Sequence, residues 1–301
     1  MPIISTMQIS PRLRAILQAL LVTFLWSTSW VLIKIALHDI PPLTFAGLRY
    51  TIAFFILLPA MWNHRAAVRA LSHKQWAKLS SLGFIFYTVT QGGQFLTLSH
   101  LEAVTFSLIL NFTALLVVLI GVVVLAEVPS RGQWIGFILF LAGVVVYFYP
   151  VFLPEGRALG LILAGITVCA NAVATVLGRS VNRQGTIPPL VVTVVSMGVG
   201  AVFLLVTGLM VQGLPRISLS GWVIVGWLAL INTALAFTLW NITLRVLSAM
   251  ESSIINNTML IQIAVLAWVF LGEQLDLKNV VGLLMVAVGV LVIQVAGLSP
   301  A

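Results

Sequence analysis

Two asparagines stand 146 positions apart in apolar stretches, Asn111 and Asn257, and Asn256 adjoins the second. We place both near the middle of membrane-spanning helices, where an amide must find a hydrogen-bond partner or lose free energy. The partner could be another helix, since interhelical hydrogen bonds are common in membrane proteins. It could equally be a solute, because amides bind both the ammonium and the carboxylate of a zwitterion without fixed charge. The pair therefore predicts either a packing contact or the lining of a central cavity.

A second set combines aromatic rings with a few polar groups. Its members are Trp26, Tyr87, Gln91, Asn171, Phe237 and Trp240. Tyr87 and Gln91 lie one turn apart on one predicted helix, and Phe237 matches Gln91 at the offset of 146 in the other half of the chain, with Trp240 three residues beyond it. Together the set would line an apolar, aromatic pocket with a few convergent polar groups, the usual character of a small-molecule site. Aromatic stripes also serve as packing or interfacial belts in membrane proteins, and the sequence leaves both interpretations open.

Three charged residues are further candidates. Arg49 interrupts an otherwise uncharged stretch at residues 42–62, where it could attract a substrate carboxylate or extend to the headgroups. Glu127 and Glu273 follow two apolar stretches and are also 146 positions apart. They could latch a gate, or they could cap the N-terminus of the next helix, where a carboxylate is favoured.

The sequence lacks the residues that several kinds of chemistry require. All seven acidic residues fall at predicted helix ends or in loops, and residues 13–37 contain none. We infer facilitated, uncoupled movement of a neutral or zwitterionic solute. The sequence has no Walker A motif and no metal-binding His or Cys spacing, so we expect no cofactor, no metal and no enzymatic activity. The basic residues are scattered singly over short loops, which argues against a nucleic-acid partner.

Membrane helices must position these residues. The chain of 301 residues is 61% hydrophobic and only 7% charged, and stretches of spanning length recur along it. We count ten helices, because lipid leaves few other ways to pair the backbone groups. With a cytoplasmic N-terminus, Lys and Arg divide ten to five in favour of the cytoplasmic side. This asymmetry predicts that both termini are cytoplasmic.

The chain also repeats itself. Gly136 and Gly143 return as Gly282 and Gly289 at the same offset of 146 as the two glutamates. These glycines suit close packing between helices. Five helices per half would make the second copy enter the membrane from the opposite side. We therefore predict an all-α polytopic membrane protein of ten transmembrane helices in two inverted five-helix repeats, residues 1–150 and 151–301, with a central site between them.

At these residues the chain resembles the drug/metabolite transporter superfamily, specifically its ten-helix EamA family. The resemblance rests on Trp26-Ser27-Thr28-Ser29-Trp30 with Lys34, Leu48-Arg49-Tyr50, Thr233-Ala234-Leu235-Ala236-Phe237 with Leu239-Trp240, and the two glutamates. The pattern is most similar to the aromatic and neutral amino-acid exporters of the YddG type. Small multidrug relatives depend on a glutamate in their first helix, which is missing here, so the resemblance does not extend to exchange of cationic drugs for protons.

The resemblance implies a secondary transporter that exports amino acids, aromatic or other neutral ones, by alternating access across the cytoplasmic (inner) membrane. The aromatic pocket favours substrates with apolar side chains. Efflux of nucleosides or other small neutral metabolites and drugs is an alternative, and an intramembrane lipid-handling protein is another. The short loops suggest a compact unit that could work as a monomer, with the bilayer and a small-molecule substrate as its partners.

Overall fold

The computed structural model describes residues 11–125, 130–149, 157–183, 186–243, 246–247 and 249–296, and all regular structure within them is helical. The helices are α1 (Pro11–Ala36), α2 (Pro42–Met61), α3 (Arg65–Arg69), α4 (His73–Gly83), α5 (Gly92–His100), α6 (Ala103–Leu110), α7 (Phe112–Leu125), α8 (Arg131–Phe148), α9 (Arg157–Arg183), α10 (Pro189–Gln212), α11 (Leu219–Ala229), α12 (Ala236–Thr243), α13 (Ala249–Leu271) and α14 (Leu277–Ala296). A 3-10 turn spans Trp62–His64, and two π-helical segments span Phe84–Gln91 and Leu230–Leu235.

Much of this part of the chain can cross a membrane. Six helical stretches within the described residues are long and apolar enough, namely Pro11–Ala36, Pro42–Arg69, Arg131–Phe148, Arg157–Gly178, Pro189–Gln212 and Leu219–Trp240. Shorter apolar helices span Ala103–Val117, Ile255–Leu271 and Leu277–Ile293. The prediction of an all-helical, polytopic membrane protein is thereby confirmed. The count of ten helices and the inverted repeat remain predictions.

Large apolar side chains cover the outside of the bundle. Phe55, Ile138 and Phe203 are 61%, 65% and 51% exposed. Such a surface is unfavourable in water and suits a lipid environment. Several helix starts carry ordinary capping signals, such as the capping boxes that Ser72 and Ser130 form at α4 and α8.

Helices α8 and α14 pack backbone to backbone. A Cβ atom on Gly289 would lie 2.6 Å from the Phe140 nitrogen, and one on Gly143 would lie 2.7 Å from the Val286 nitrogen. Gly136 and Gly282 meet the facing helix as closely. The predicted close packing at these four glycines is confirmed, because no larger residue leaves room for this approach.

The remaining helices surround a buried aromatic interior. Helix α2 packs against α10, α1 packs against α12 and α13, and α5 packs against α9. Phe45, Tyr50, Phe95 and Phe106 are almost completely buried among these helices. Helices α1 and α2 both contact the second π-helical segment, and α2 also reaches the first through a side chain, so the candidate site is described from these segments.

Candidate substrate-binding site

The two π-helical segments occupy corresponding places in the chain. One connects α4 to α5 and the other connects α11 to α12, and their first residues, Phe84 and Leu230, are 146 positions apart. Each is braced by a threonine hydroxyl that donates to the carbonyl five residues back: Thr90 to Ile85 at 3.0 Å, and Thr233 to Leu228 at 2.8 Å. π-Helical turns are rare and are frequent at functional sites.

Consecutive residues of α2 join these segments. The Arg49 Nε–H donates to the Thr233 hydroxyl oxygen at 3.0 Å, and the Tyr50 hydroxyl donates to the Gln91 side-chain oxygen at 2.7 Å. The Tyr50 ring also packs edge-on against Tyr87, with ring centroids 5.3 Å apart. Tyr87 is buried and Gln91 is half-buried. Helix α2 thus contacts both predicted residues of the first segment, Tyr87 and Gln91, and also contacts the second segment.

Arg49 is enclosed inside the protein. Only 4% of the residue is exposed, and its guanidinium carbon lies 5.2 Å from the Tyr50 ring centroid and 6.0 Å from that of Phe95. Aromatic faces attract a cation electrostatically, so these rings offset part of its desolvation. No carboxylate of the described residues lies within 4.0 Å of it. Burial of this depth excludes extension to the headgroups, one of the two interpretations of the sequence.

Three predicted pocket aromatics form one cluster. The Trp26 ring centroid lies 5.4 Å from that of Phe237 and 5.2 Å from that of Trp240, with tilted planes. All three rings are half-buried. Phe237 follows Thr233 by four residues, and Trp240 follows Phe237 by three. At this spacing the three side chains lie along one side of the helix that continues from the second π-helical segment into α12. The aromatic cluster (Trp26, Phe237 and Trp240) therefore continues along the helix from the Arg49 contact.

The predicted amides make separate hydrogen bonds. Asn111 separates α6 from α7 and donates to the Ser107 carbonyl of its own helix at 2.7 Å. Asn171 on α9 donates to the Thr113 hydroxyl on α7 at 3.2 Å, a packing contact between helices. Asn257 is half-buried.

Asn256 is exposed, and its predicted position in the pocket stays a prediction, because the wall of an open cavity is exposed as well. The sequence places an asparagine in the apolar stretch, but the face on which it lies depends on how α13 packs against its neighbours. Asn256 and Asn257 are the eighth and ninth of the 23 residues of α13 (Ala249–Leu271), before the middle of the helix.

The sequence interpretation missed two polar residues that join helices, the buried Asn232 and the half-buried Gln262. Asn232 donates through Nδ2 to the Leu25 carbonyl and, at 3.1 Å, to the Thr28 hydroxyl, which joins the second π-helical segment to α1. Gln262 on α13 accepts a hydrogen bond from the Ser27 hydroxyl at 2.9 Å. Both are amides inside apolar stretches, the signal that singled out Asn111 and Asn257, and it could have identified them too.

Glu273 is a helix cap, though not for the helix expected. Its two carboxylate oxygens accept from the Ala103 nitrogen at 2.7 Å and the Val104 nitrogen at 3.0 Å, at the start of α6. The prediction of a cap on the next helix, α14, is therefore wrong, because the free N–H groups nearest to the carboxylate belong to the other half of the chain. Glu127 lies outside the described residues.

Lys34 makes a comparable contact with a helix end at the same end of the molecule. The Lys34 ammonium donates to the carbonyl oxygens of Leu98 and Leu101, both at 2.6 Å, where α5 ends. Glu102 follows directly and is paired with Arg157 at 3.2 Å. These contacts hold α1, α5, α6 and α13 together at one end of the bundle, away from the aromatic cluster.

The arrangement suits binding of a small organic molecule. Within the described residues, no three His, Cys, Asp or Glu side chains gather into a group that could hold a metal ion. The polar groups near the π-helical segments are hydroxyls, amides and one guanidinium, set among aromatic rings. Such groups recognise a small organic molecule by hydrogen bonds and ring contacts.

Comparison with known proteins gives one consistent result. The sequence model of the EamA-like transporter family matches residues 13–149 and again residues 158–295. An uncharacterized transporter, YvbV, from Bacillus subtilis (strain 168) is 26% identical over 294 residues, which cover 93% of this chain and 91% of that protein. A probable amino-acid metabolite efflux pump from Escherichia coli (strain K12) is 22% identical over 232 residues, covering 74% of this chain and 75% of the pump.

The fold has a solved counterpart. One crystal structure superposes on 93% of this chain and 97% of its own, with a TM-score of 0.66 at 20% identity. At this level of identity the likeness concerns the fold alone.

Proposed function

Because the chain belongs to the EamA-like transporter family, we propose that this membrane transporter exports amino acids, aromatic or other neutral ones, by alternating access and without coupling to protons. The observation that carries the proposal is the junction at α2, where Arg49 and Tyr50 bind the two π-helical segments beside the aromatic cluster. This junction places hydrogen-bonding groups and aromatic faces along one path through the bundle.

The substrate class is supported in two ways. Relatives in Escherichia coli and Salmonella typhimurium bear the name of probable amino-acid metabolite efflux pumps, at 22% and 29% identity, the second over only 133 residues, or 42% of this chain and 40% of that protein. In addition, the half-buried rings of Trp26, Phe237 and Trp240 offer an apolar surface for a side chain. Specificity of the YddG type is part of the same proposal.

The absence of proton coupling is inferred from the positions of the acids. Glu102 and Glu273 are held at one end of the bundle by Arg157 and by the start of α6. Helix α1 contains no acidic residue. Proton-coupled transporters carry the proton on an ionisable group inside the membrane, and no carboxylate of the described residues lies within 4.0 Å of Arg49.

The arrangement in the cell forms part of the proposal. We place the protein in the cytoplasmic membrane with both termini inside, acting as a monomer built from two inverted repeats, residues 1–150 and 151–301. Two separate matches to one family model support two such units. In alternating access, each unit would adopt in turn the arrangement that the other unit has now, and the site at the junction at α2 would open first to one side of the membrane and then to the other.

Counterflow in proteoliposomes tests the proposal. Proteoliposomes that contain the purified protein are loaded with unlabelled phenylalanine, methionine or threonine. Uptake of the labelled amino acid is then followed with and without a pH gradient. We expect uptake that does not depend on the gradient and that falls in Trp240→Ala. Trp134→Ala is the matched control, since Trp134 is 52% exposed on the outer surface.

Other outcomes would reject parts of the proposal. Uptake only with a gradient would show that protons are coupled. Counterflow of nucleosides, or movement of lipids, without counterflow of any amino acid would reject the substrate class.

A further inference from the structure

We propose that Arg49 binds the carboxylate group of the transported molecule, so that carboxylate-bearing solutes are selected over their uncharged analogues. The inference rests on the proposed function, because it assigns a substrate group to one residue of the same site. It is carried by the charge balance around Arg49 and by the geometry of its contacts.

Arg49 is a buried cation to which the described residues supply no anion. A charge inside a membrane protein is normally paired or faces a transport path, because burial without compensation is costly. The described carboxylates are engaged elsewhere or exposed: Glu102 pairs with Arg157, Glu273 caps α6, Asp39 accepts from Ser218 and Asp276 is exposed. None lies within 4.0 Å of the guanidinium. An anion supplied by the solute would complete the balance.

The protein holds only one edge of the guanidinium. Its Nε–H donates to Thr233, and the Tyr50 and Phe95 rings lie 5.2 and 6.0 Å from its central carbon. Its two terminal nitrogens have no acceptor among the described residues. These nitrogens form the fork that binds a carboxylate through two parallel hydrogen bonds.

The terminal nitrogens of Arg49 are not fully enclosed. The enclosed side-chain atoms that lack a hydrogen-bond partner in the described part of the chain belong to Thr51, Thr97 and Asn232. The terminal nitrogens of Arg49 are not among these atoms, so the 4% of the residue that remains exposed includes them. They are the groups that an anion entering this site would meet first.

The aromatic cluster lies at a suitable distance for the rest of an amino acid. Phe237 and Trp240 follow Thr233 by four and seven residues, which corresponds to roughly 6 to 10 Å along a helix at about 1.5 Å per residue. A carboxylate on Arg49 would thus direct the side chain of the same molecule toward these rings and Trp26.

A series of compounds that share one side chain tests the inference. Binding of phenylalanine, phenylalaninamide, phenethylamine and 3-phenylpropionate to the purified full-length protein is measured from the shift in melting temperature with ligand concentration, which does not require transport. We expect phenylalanine to bind more tightly than its amide by roughly 10- to 100-fold, the range for a hydrogen-bonded charge. We also expect 3-phenylpropionate to bind more tightly than phenethylamine.

Variants connect the preference to the residue. Arg49→Gln should reduce the ratio between phenylalanine and its amide to about one, and Arg49→Lys should restore part of it because the charge returns without the fork. Thr233→Val should lower the ratio while keeping Arg49, since it removes the acceptor that orients the guanidinium. Arg216→Gln, an exposed arginine, is the matched control and should leave the ratio unchanged.

The outcomes separate this inference from the proposed function. Counterflow of phenylalanine with equal binding of the acid and the amide by the wild-type protein would overturn the inference and leave the proposed function standing. Binding of 3-phenylpropionate that is lost in Arg49→Gln, without counterflow of any amino acid, would support the carboxylate subsite and reject amino acids as substrates. If the Arg49 variants do not fold, the wild-type ratio and Thr233→Val decide the question.

Discussion

The contact of Glu273 with the start of α6 predicts that this carboxylate stabilises one conformation of the transporter. It joins the loop after α13 to the other half of the chain through two hydrogen bonds, at 2.7 and 3.0 Å from Ala103 and Val104. If the two halves rock against each other, this end of the bundle opens and both bonds break. The substitution Glu273→Gln should therefore favour the state that is open at this end.

The size of the effect follows from the chemistry of helix caps. A glutamine can keep one of the two bonds through its side-chain oxygen but loses the charge, which interacts favourably with a helix N-terminus. Loss of an N-terminal cap costs about 0.5–2 kcal/mol. Since about 1.4 kcal/mol corresponds to a tenfold change in an equilibrium, we expect the open state to gain roughly 2- to 30-fold in population relative to the closed one.

Thiol labelling can measure this shift. Cys169 is the single cysteine of the chain, so Cys169→Ser provides a background without cysteine. In it, Thr105→Cys introduces a thiol at a position that is 8% exposed in this structure and lies one residue beyond the Glu273 contact. Labelling of intact cells by a membrane-impermeant maleimide should be faster in Glu273→Gln than in the parent protein.

A nearby acid provides the control. Asp276 lies three residues further on and is exposed, so Asp276→Asn should leave the labelling rate unchanged. Equal labelling in the Glu273→Gln protein and its parent, or an equal increase in Asp276→Asn, would refute the reasoning that this cap holds one state closed.

Two further predictions concern packing and the junction at α2. Gly289→Ala should lower the melting temperature of the detergent-solubilised protein, because its Cβ would lie 2.6 Å from a backbone nitrogen of α8 and overpacking costs about 1–3 kcal/mol. Gly165→Ala, with no atom within 4 Å of its Cβ, should not lower it, and equal losses would contradict the packing argument. In a double-mutant cycle, the loss of unfolding free energy in the Tyr50→Phe, Gln91→Leu double variant should be smaller than the sum of the two single losses by about 1 kcal/mol, the typical value of a hydrogen bond. Full additivity would show that the bond contributes nothing.

The sequence predicted those features that depend on local pattern. The aromatic cluster could be anticipated because Phe237 and Trp240 lie three residues apart, on one side of a helix, in a stretch matched to the first half of the chain. The close packing of α8 and α14 could be anticipated because Gly136 and Gly143 recur as a pair at one offset.

Other features depend on which helices become neighbours, and here the sequence was insufficient. Glu273 was expected to cap the nearest helix along the chain, but its partners Ala103 and Val104 are about 170 positions away. Asn256 was expected to line the cavity because it is an amide in an apolar stretch, but the packing of α13 decides which of its faces is covered, and the residue is exposed. The partner of Arg49 is a hydroxyl on a helix 184 positions away.

The π-helical segments are the largest feature that sequence reasoning missed. Residues Phe84–Gln91 and Leu230–Leu235 have the same apolar character as the helices on either side, so composition does not distinguish them. The backbone there widens because threonine hydroxyls and neighbouring helices supply alternative hydrogen bonds, and both depend on the folded state.

These two wide turns also affect how transporters of this fold can diverge in evolution. A π-helical turn accommodates more residues than an α-helical turn, so the helix on one side is rotated relative to the helix on the other. The orientation of α12, which carries Phe237 and Trp240, is thereby set separately from that of α11, which packs against α2. Insertion or loss of a single residue within Leu230–Leu235 would rotate Phe237 and Trp240 relative to α11, while α11 could keep its contacts with α2. If these rings contact the substrate, as we propose, one mutational step of this kind would change the substrate range.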